Sequence, residues 1–156
     1  MPDLIEKEIP LMGICYGHQL IAKALGGRVE NHPQGMELGT VDIQTNDSCG
    51  SDYLFKGLPR SFKAHVSHSQ TVIELPENAV LLAGNLFERH HAFRIGISAW
   101  GVQFHPEYNK TIMNSYIENI AKHSETIKVK KQALIENVQE TPFAASVIKR
   151  FGRLLV

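Results

Sequence analysis

Two short segments of the sequence contain residue types that together could perform nucleophilic catalysis. The first is the pentapeptide at 13–17, Gly-Ile-Cys-Tyr-Gly, which lies between an apolar run and an amphipathic segment. A G-x-C-x-G pattern in that position is typical of a nucleophile elbow, with cysteine in the place of serine. The two glycines would let the backbones of the strand and the helix pass closely. The Cys15 sulfur would then lie at a helix N-terminus, where the helix dipole favours the thiolate. A small buried thiol in a tight turn is the structural alternative, and the pentapeptide alone leaves both open.

The second segment, Gln-Phe-His-Pro-Glu at 103–107, offers a base and a carboxylate. His105 and Glu107 are two residues apart, so in extended geometry both side chains project to the same side of the chain. A carboxylate there can fix the imidazole tautomer while the other ring nitrogen faces a sulfur atom. Taken alone, the pair could also be a strand-end histidine beside a surface glutamate. Together with the elbow, it predicts a Cys15–His105–Glu107 catalytic triad.

Three segments of the chain resemble the class I (triad) glutamine amidotransferases. They are Gly-Ile-Cys-Tyr-Gly-His-Gln at 13–19, Ser-His-Ser-Gln-Thr-Val at 67–72 and Val-Gln-Phe-His-Pro-Glu at 102–107. Their order and spacing are most similar to the GMP-synthase-like members, and the resemblance covers residues 9–123. It implies that Cys15 is the nucleophile, His105 the acid/base and Glu107 the orienting carboxylate. It also implies contacts to L-glutamine from Tyr16, Gln19, Ser67, Ser69 and Gln70.

The resemblance implies hydrolysis of the glutamine side-chain amide to glutamate and ammonia through a γ-glutamyl thioester, without a cofactor. The sequence contains neither a Ser-Gly-Gly-x-Asp-Ser pyrophosphate loop nor a Walker-type phosphate loop. We therefore expect a synthetase partner chain to bind the acceptor of the ammonia. Two alternatives stay open at this point. One is a γ-glutamyl peptidase or hydrolase with the same triad, and the other is an inactive, truncated interaction module.

The elements that must position these residues indicate an α/β fold. An apolar run at 9–14 predicts a buried strand, and 18–25 predicts a helix that Gly26-Gly27 ends. Further strands are predicted at 40–44, 62–66, 71–74, 80–83, 92–97 and 100–104, and helices follow from about residue 108. We expect an open, mainly parallel sheet flanked by helices. Residues 1–123 would form a partial glutaminase domain, and residues 124–156 a basic, helical C-terminal extension.

The resemblance also implies N-terminal βα units before the elbow, which this sequence lacks. In the family they include a glycine-rich loop with the second oxyanion donor. Without that donor and the neighbouring strands, we expect the chain alone to aggregate or form homo-oligomers and to hydrolyse glutamine weakly.

Composition excludes several other classes of protein. The 16 Lys and Arg balance the 16 Asp and Glu, so no net charge directs the chain to nucleic acid or to a membrane surface. No apolar run is long enough to cross a membrane, and the N-terminus does not resemble a signal peptide.

The cysteines and histidines outside the triad carry little further signal. The two cysteines, Cys15 and Cys49, fit a reducing compartment and therefore a cytoplasmic protein. Cys49 stands in a polar segment, and we expect it to lie in a loop without a role. The histidines lack the spacing of a zinc site, so no metal is expected.

Overall fold

A six-stranded sheet with helices packed against it forms the centre of the molecule. The computed structural model describes residues 2–155. Its strands are β1 Leu11–Ile14, β2 Arg28–Asn31, β3 Glu37–Thr45, β4 Ser61–His68, β5 Gln70–Glu74, β6 Ala79–Gly84, β7 Ala92–Ile95 and β8 Ala99–Val102. Its helices are α1 Pro2–Glu6, α2 Tyr16–Ala24, α3 Lys110–Ala121, α4 Glu125–Glu136 and α5 Pro142–Gly152, with 3₁₀ turns at Asp47–Ser51 and Arg153–Leu155.

The strands of the main sheet follow the order β1-β8-β7-β6-β3-β4, and β2 pairs with β5 in a separate ribbon. The α/β class is confirmed, but the expectation of a mainly parallel sheet is wrong. Within residues 2–155 only β1 and β8 run parallel, and the other paired strands run antiparallel. Short connections are the reason for the pairs β6–β7 and β7–β8, whereas β2 with β5 and β3 with β6 are antiparallel pairs of strands that are not consecutive in the chain. Three residues join β7 to β8, and such a loop can link only antiparallel neighbours.

The sheet curls so that the two ends of its strand order approach each other near the segment that follows β8. The backbone N–H of His105 donates to the carbonyl of His65, in β4, at 2.8 Å. This contact brings β4 next to the continuation of β8, although β4 and β1 are the outermost strands of the order. The residues that follow β1, those that follow β8 and the last residues of β4 therefore meet at one place.

The C-terminal helices are confirmed, and they pack onto the body of the fold. Ala144 and Val147 of α5 are fully buried in the same core cluster as Trp100 and Phe104. Helix α4 packs against α3 and β3. The predicted domain boundary after residue 123 stays a prediction. In the part of the chain that the structure describes, no helix is long and apolar enough to span a bilayer.

Candidate active site

Cys15 occupies a sharp turn between β1 and α2. It is the N-cap residue of α2, with a φ of 50° and a ψ of −102°, a conformation that L residues rarely adopt. Its backbone N–H donates to the carbonyl of Val102 at 2.8 Å, which ties the turn to the end of β8. The predicted elbow is present, and it points the thiol toward the ends of neighbouring strands.

The two glycines of the elbow differ in how closely their surroundings pack. A Cβ atom on Gly13 would lie 2.4 Å from the carbonyl oxygen of Gly17, so the crossing of β1 and α2 requires glycine there. A Cβ atom on Gly17 would meet nothing within 4 Å. The expectation that both glycines allow a close approach is thus wrong for Gly17, because the crowding falls on the strand side of the turn.

The parallel pairing of β1 and β8 brings His105 to Cys15. Ile14 pairs with Val102, so the residues that follow the two strands leave the sheet at the same edge. His105 Nδ1 lies 2.7 Å from Glu107 Oε1, within hydrogen-bond distance, and the carboxylate accepts the proton of Nδ1. The other ring nitrogen of His105, Nε2, therefore takes no part in the hydrogen bond to Glu107. The imidazole is largely buried, whereas the Glu107 side chain is 39% exposed.

The surroundings of His105 favour its protonated form. Burial alone would lower its pKa, but the neighbouring Cys15 and Glu107 side chains outweigh that effect and raise the pKa of His105 to about 9. The Tyr108 ring stacks on the imidazole, with ring centres 4.0 Å apart and planes 13° from parallel. The stacking and the Glu107 hydrogen bond together fix the plane of the ring.

The five residues expected to contact glutamine lie in three places. Tyr16, Gln19 and Gln70 line one cavity of about 310 Å³ beside α2. Ser67 approaches the nucleophile, with its carbonyl oxygen 3.8 Å from Cys15 Sγ. Ser69 is exposed, and its carbonyl accepts the backbone N–H of His32, next to β2. The structure thus brings four of the five to Cys15 or to the cavity, and the contact recorded for Ser69 leads elsewhere.

Gln103 is a site residue that the sequence interpretation missed. Its side chain is fully buried, its Nε2 donates to Cys15 Sγ at 3.4 Å, and its Oε1 accepts from Gln19 Nε2 at 2.9 Å. No local pattern identified it, because its contact with Cys15 joins residues 88 apart in the sequence.

A buried carboxylate network lies behind the β4–β5 junction at residues 67–70, where only Ser69 lies between the two strands. Glu37 Oε2 lies 2.9 Å from His68 Nε2 and 3.3 Å from His91 Nε2, and Glu37 Oε1 accepts from Asn85 Nδ2 at 3.0 Å. Burial would raise the pKa of Glu37, but these donors hold it far below its usual range. His68 Nδ1 also reaches the carbonyl of Gln70 at 2.9 Å. The network therefore fixes the backbone beside the candidate site. Among residues 2–155, no group of three or more His, Cys, Asp or Glu side chains is arranged to hold a metal ion.

Cys49 lies in the 3₁₀ turn at Asp47–Ser51 and not in an open loop. Its side chain is buried, its Sγ donates to the carbonyl of Leu82 at 3.1 Å, and burial raises its pKa to about 11. The polar neighbours suggested exposure, but the turn directs this one apolar side chain into the core.

Comparison with known proteins agrees with the fold. Residues 1–124 match the family described as glutamine amidotransferase class-I. A GMP synthase (glutamine-hydrolysing) of Thermosipho africanus is 35% identical over 136 residues, which cover 83% of this chain and 26% of that protein. Gamma-glutamyl peptidase 4 of Arabidopsis thaliana is 36% identical over 112 residues, 70% of this chain and 45% of the relative. A glutamine amidotransferase structure from Thermotoga maritima covers 96% of this chain and 65% of that one, at 27% identity and a TM-score of 0.79.

An α/β sheet with a cysteine elbow facing a His–Glu pair defines the class of protein to which this chain is similar. The chain belongs to the class I glutamine amidotransferase family. It spans 26% of the bacterial GMP synthase and 45% of the plant peptidase, so it corresponds to part of each relative.

Proposed function

We propose that this chain hydrolyses the side-chain amide of L-glutamine to glutamate and ammonia through a Cys15–His105–Glu107 triad. One observation carries the proposal. The 2.7 Å His105–Glu107 pair is held next to a cysteine at a strained turn that opens a helix. A nucleophile, a base and an orienting group in that relation are the requirements of covalent catalysis.

In the proposed reaction the Cys15 thiolate attacks the carboxamide carbon, and a C–S bond forms. The oxyanion accepts from the Tyr16 N–H, since the first N–H groups of a helix have no partner within it. Protonated His105 donates its proton to the amide nitrogen, the C–N bond breaks, and ammonia leaves. Neutral His105 then takes a proton from water, whose oxygen attacks the γ-glutamyl thioester. Breakage of the C–S bond releases glutamate and restores the thiolate.

Recognition of the substrate is assigned to Tyr16, Gln19, Ser67, Ser69 and Gln70. The cavity of about 310 Å³ that three of them line adjoins the elbow helix. Gln19 Nε2 already donates to the Gln70 carbonyl and to Gln103 Oε1. Both of its protons are used, so Gln19 would contact a ligand through its carbonyl oxygen.

The ammonia would pass to an acceptor that a synthetase partner chain binds, in the cytoplasm, where a thiol nucleophile stays reduced. The similarity to a glutamine-hydrolysing GMP synthase supports transfer of the ammonia to such an acceptor. Self-association of the chain is an alternative arrangement to a synthetase complex.

A γ-glutamyl peptidase is the second candidate function. The 36% identity to gamma-glutamyl peptidase 4 favours it, because the same triad can cleave a γ-glutamyl amide whose leaving group is a peptide. The two functions differ in the leaving group, not in the acyl chemistry. An inactive interaction module is the third alternative, and it would need no intact triad.

Release of glutamate and ammonia should be measured with L-glutamine, and release of glutamate and the second amino acid should be measured separately with a γ-glutamyl dipeptide. We expect turnover of glutamine that Cys15→Ser abolishes and that the matched variant Cys49→Ser leaves unchanged. Preference for the dipeptide would instead support the peptidase. Release that persists in Cys15→Ser would reject the triad, and a folded chain inactive on both substrates would support the interaction module.

A further inference from the structure

We propose that Gln103 is a positioning residue that stabilises the Cys15 thiolate and links it to the β4–β5 junction at residues 67–70. The inference rests on the proposed function in taking Cys15 as the nucleophile. The Gln103 side chain is fully buried, and its amide has one contact at each end. Nε2 lies 3.4 Å from Cys15 Sγ, and Oε1 lies 2.9 Å from Gln19 Nε2.

The hydrogen-bond network fixes which end of the Gln103 amide faces the sulfur. The carbonyl of Gln70 can only accept, so the Gln19 atom 3.0 Å from it must be the amide nitrogen. That nitrogen has one further proton, which is directed at Gln103. The Gln103 atom that receives it must be the oxygen, and its nitrogen therefore faces Cys15 Sγ. Inverting either amide would place two acceptors, or two donors, against each other.

A neutral amide N–H directed at sulfur acts differently from the imidazole. It cannot remove the thiol proton, because an amide nitrogen is not a base at physiological pH. It stabilises the negative charge after the proton has left, as a hydrogen bond to the charged form does. The Ser67 carbonyl, 3.8 Å from Sγ, acts in the opposite sense, since it accepts from the thiol and repels the thiolate. The Gln103 N–H offsets that repulsion.

The Gln103 side chain also couples Cys15 to the β4–β5 junction at residues 67–70. Gln103 holds Gln19, Gln19 holds the Gln70 carbonyl, and His68 Nδ1 reaches the same carbonyl from the other side. His68 is in turn bound by the buried Glu37. A shift of the β4–β5 junction would therefore change the orientation of the Gln103 amide and, with it, the hydrogen bond to Cys15 Sγ.

The test measures the rate of Cys15 alkylation by iodoacetamide between pH 5 and pH 10, in a Cys49→Ser background so that one thiol reacts. Gln103→Met keeps the length of the side chain and removes both polar ends. We expect the midpoint of the alkylation profile to move to higher pH by about 1–2 units, the range expected when one hydrogen bond to a charged group is lost. The exposed Gln44 provides the matched control, and Gln44→Met should leave the midpoint in place.

A structural role alone would lower the unfolding temperature of Gln103→Met without moving the midpoint, and that result would overturn the proposal. Gln103→Asn serves as the second variant if the methionine variant does not fold. It keeps the amide but is one methylene too short to span both partners, so a shift of the same sign is expected. An unchanged midpoint in a folded Gln103→Asn chain would also overturn the proposal. The alkylation needs no glutamine. A chain that shows the shift but does not hydrolyse glutamine would contradict the proposed function and leave this inference standing.

Discussion

The backbone of Cys15 holds the candidate nucleophile in a strained conformation. A non-glycine residue with a φ of 50° and a ψ of −102° costs about 1–3 kcal/mol, and such strain persists only where the surroundings enforce it. Here the Val102 carbonyl and the close crossing at Gly13 enforce it. The result is a sulfur held at the N-terminus of α2 and between the ends of other strands. Cys15 differs from Cys49 in this placement of its sulfur atom.

The difference between the two thiols predicts selective labelling. Iodoacetamide at pH 7 should alkylate Cys15 and spare Cys49, because Cys49 is buried and its pKa is raised to about 11. Peptide mass spectrometry after limited reaction of the folded chain measures both sites. Cys49→Ser should label like the original chain, and Cys15→Ser should remain unlabelled. Equal labelling of both cysteines would contradict the assignment of Cys15 as the reactive thiol.

The Glu107 carboxylate is expected to set the pH range in which His105 acts. It is one of the groups that raise the pKa of His105 to about 9, so Glu107→Gln should lower that pKa. His105 must be protonated to release ammonia. The alkaline limb of kcat, near pH 9 in the original chain, should therefore move to lower pH, and kcat should fall by about 10²-fold with little change in KM.

Stability should respond with a defined sign to the same substitution. The pKa of His105 is raised above its ordinary 6.5, so the pair stabilises the folded state fully below pH 6.5, and this contribution is lost as the pH rises through about 9. Glu107→Gln should thus lower the free energy of unfolding at pH 6 and have little effect at pH 10. Glu77→Gln, at an exposed position, provides the matched control for both measurements. A pH profile of kcat in Glu107→Gln that coincides with the original would reduce Glu107 to a surface residue.

At the scale of elements, the crossing of β1 and α2 determines where the nucleophile lies. Gly13→Ala should destabilise the fold or displace Cys15, because the added methyl group would lie 2.4 Å from a backbone oxygen that cannot move alone. Gly17→Ala adds the same group in open space and should be tolerated, with a gain of up to about 1 kcal/mol from helix propensity. Thermal unfolding and Cys15 alkylation of both variants provide the measurements. Equal destabilisation by the two substitutions would show that the elbow has another constraint.

The positions of the described strands other than β2 were predictable from the sequence, whereas β2 at Arg28–Asn31 was missed and the strand directions were not predictable. The alternation of Val41 and Ile43 around Asp42 placed β3, and apolar runs placed β1 and β8, because burial of one face or of both leaves a local pattern. Direction depends on the length and path of the connections. Among the described strands, the one parallel pair, β1 with β8, brings Cys15 to His105, and hairpin connections account for the antiparallel pairs β6–β7 and β7–β8.

The site was predictable to the extent that its chemistry lies in contiguous motifs. His105 and Glu107 are two residues apart, so their proximity was predictable, although they lie after β8 and residues 106–107 form a turn in place of the expected extended geometry. The bond from Gln103 to Cys15 joins residues 88 apart in the sequence, and that between Glu37 and His68 joins residues 31 apart. Such contacts depend on the pairing register of the strands, which matches Ile14 with Val102 and Glu37 with His68. A local pattern contains no information on it, so Gln103 and Glu37 became visible only in the structure.

The buried Glu37 predicts a pH-dependent contribution to stability. Its pKa is lowered by His68, His91 and Asn85, so the stabilisation is present above the ordinary pKa of about 4.5 and is lost as the pH falls below it. Glu37→Gln should therefore lower the free energy of unfolding at pH 7, and the difference from the original chain should shrink only below pH 4.5, so that it is clearly smaller at pH 2.5 than at pH 7. Urea unfolding at both pH values measures it, with the exposed Glu30→Gln as the control. A difference that is equal at the two pH values would show that packing, and not the charge, accounts for the loss.

At the scale of the whole molecule, α5 joins the C-terminal segment to the core of the sheet. Ala144 and Val147 are fully buried, and the Phe151 ring packs edge-on against Trp100, with ring centres 6.3 Å apart. Arg150 adds hydrogen bonds to the carbonyls of Leu54 and Lys56. The core that supports β8, and with it the segment that carries His105, is therefore built from both sides of the predicted domain boundary.

The packing of α5 allows a test of the domain boundary expected after residue 123. Val147→Ala should lower the free energy of unfolding by about 1–3 kcal/mol, because it leaves a cavity beneath the sheet. Val129→Ala is the matched control, since Val129 on α4 is 85% exposed and its replacement should change stability little. A chain ending at residue 123 should lose the single cooperative unfolding transition, which urea titration followed by circular dichroism would show. Two results together would contradict this expectation: a 1–123 chain that unfolds as sharply as the whole chain, and equal effects of the two valine substitutions. They would mean that residues 1–123 fold independently of α4 and α5 and that the domain boundary is correct.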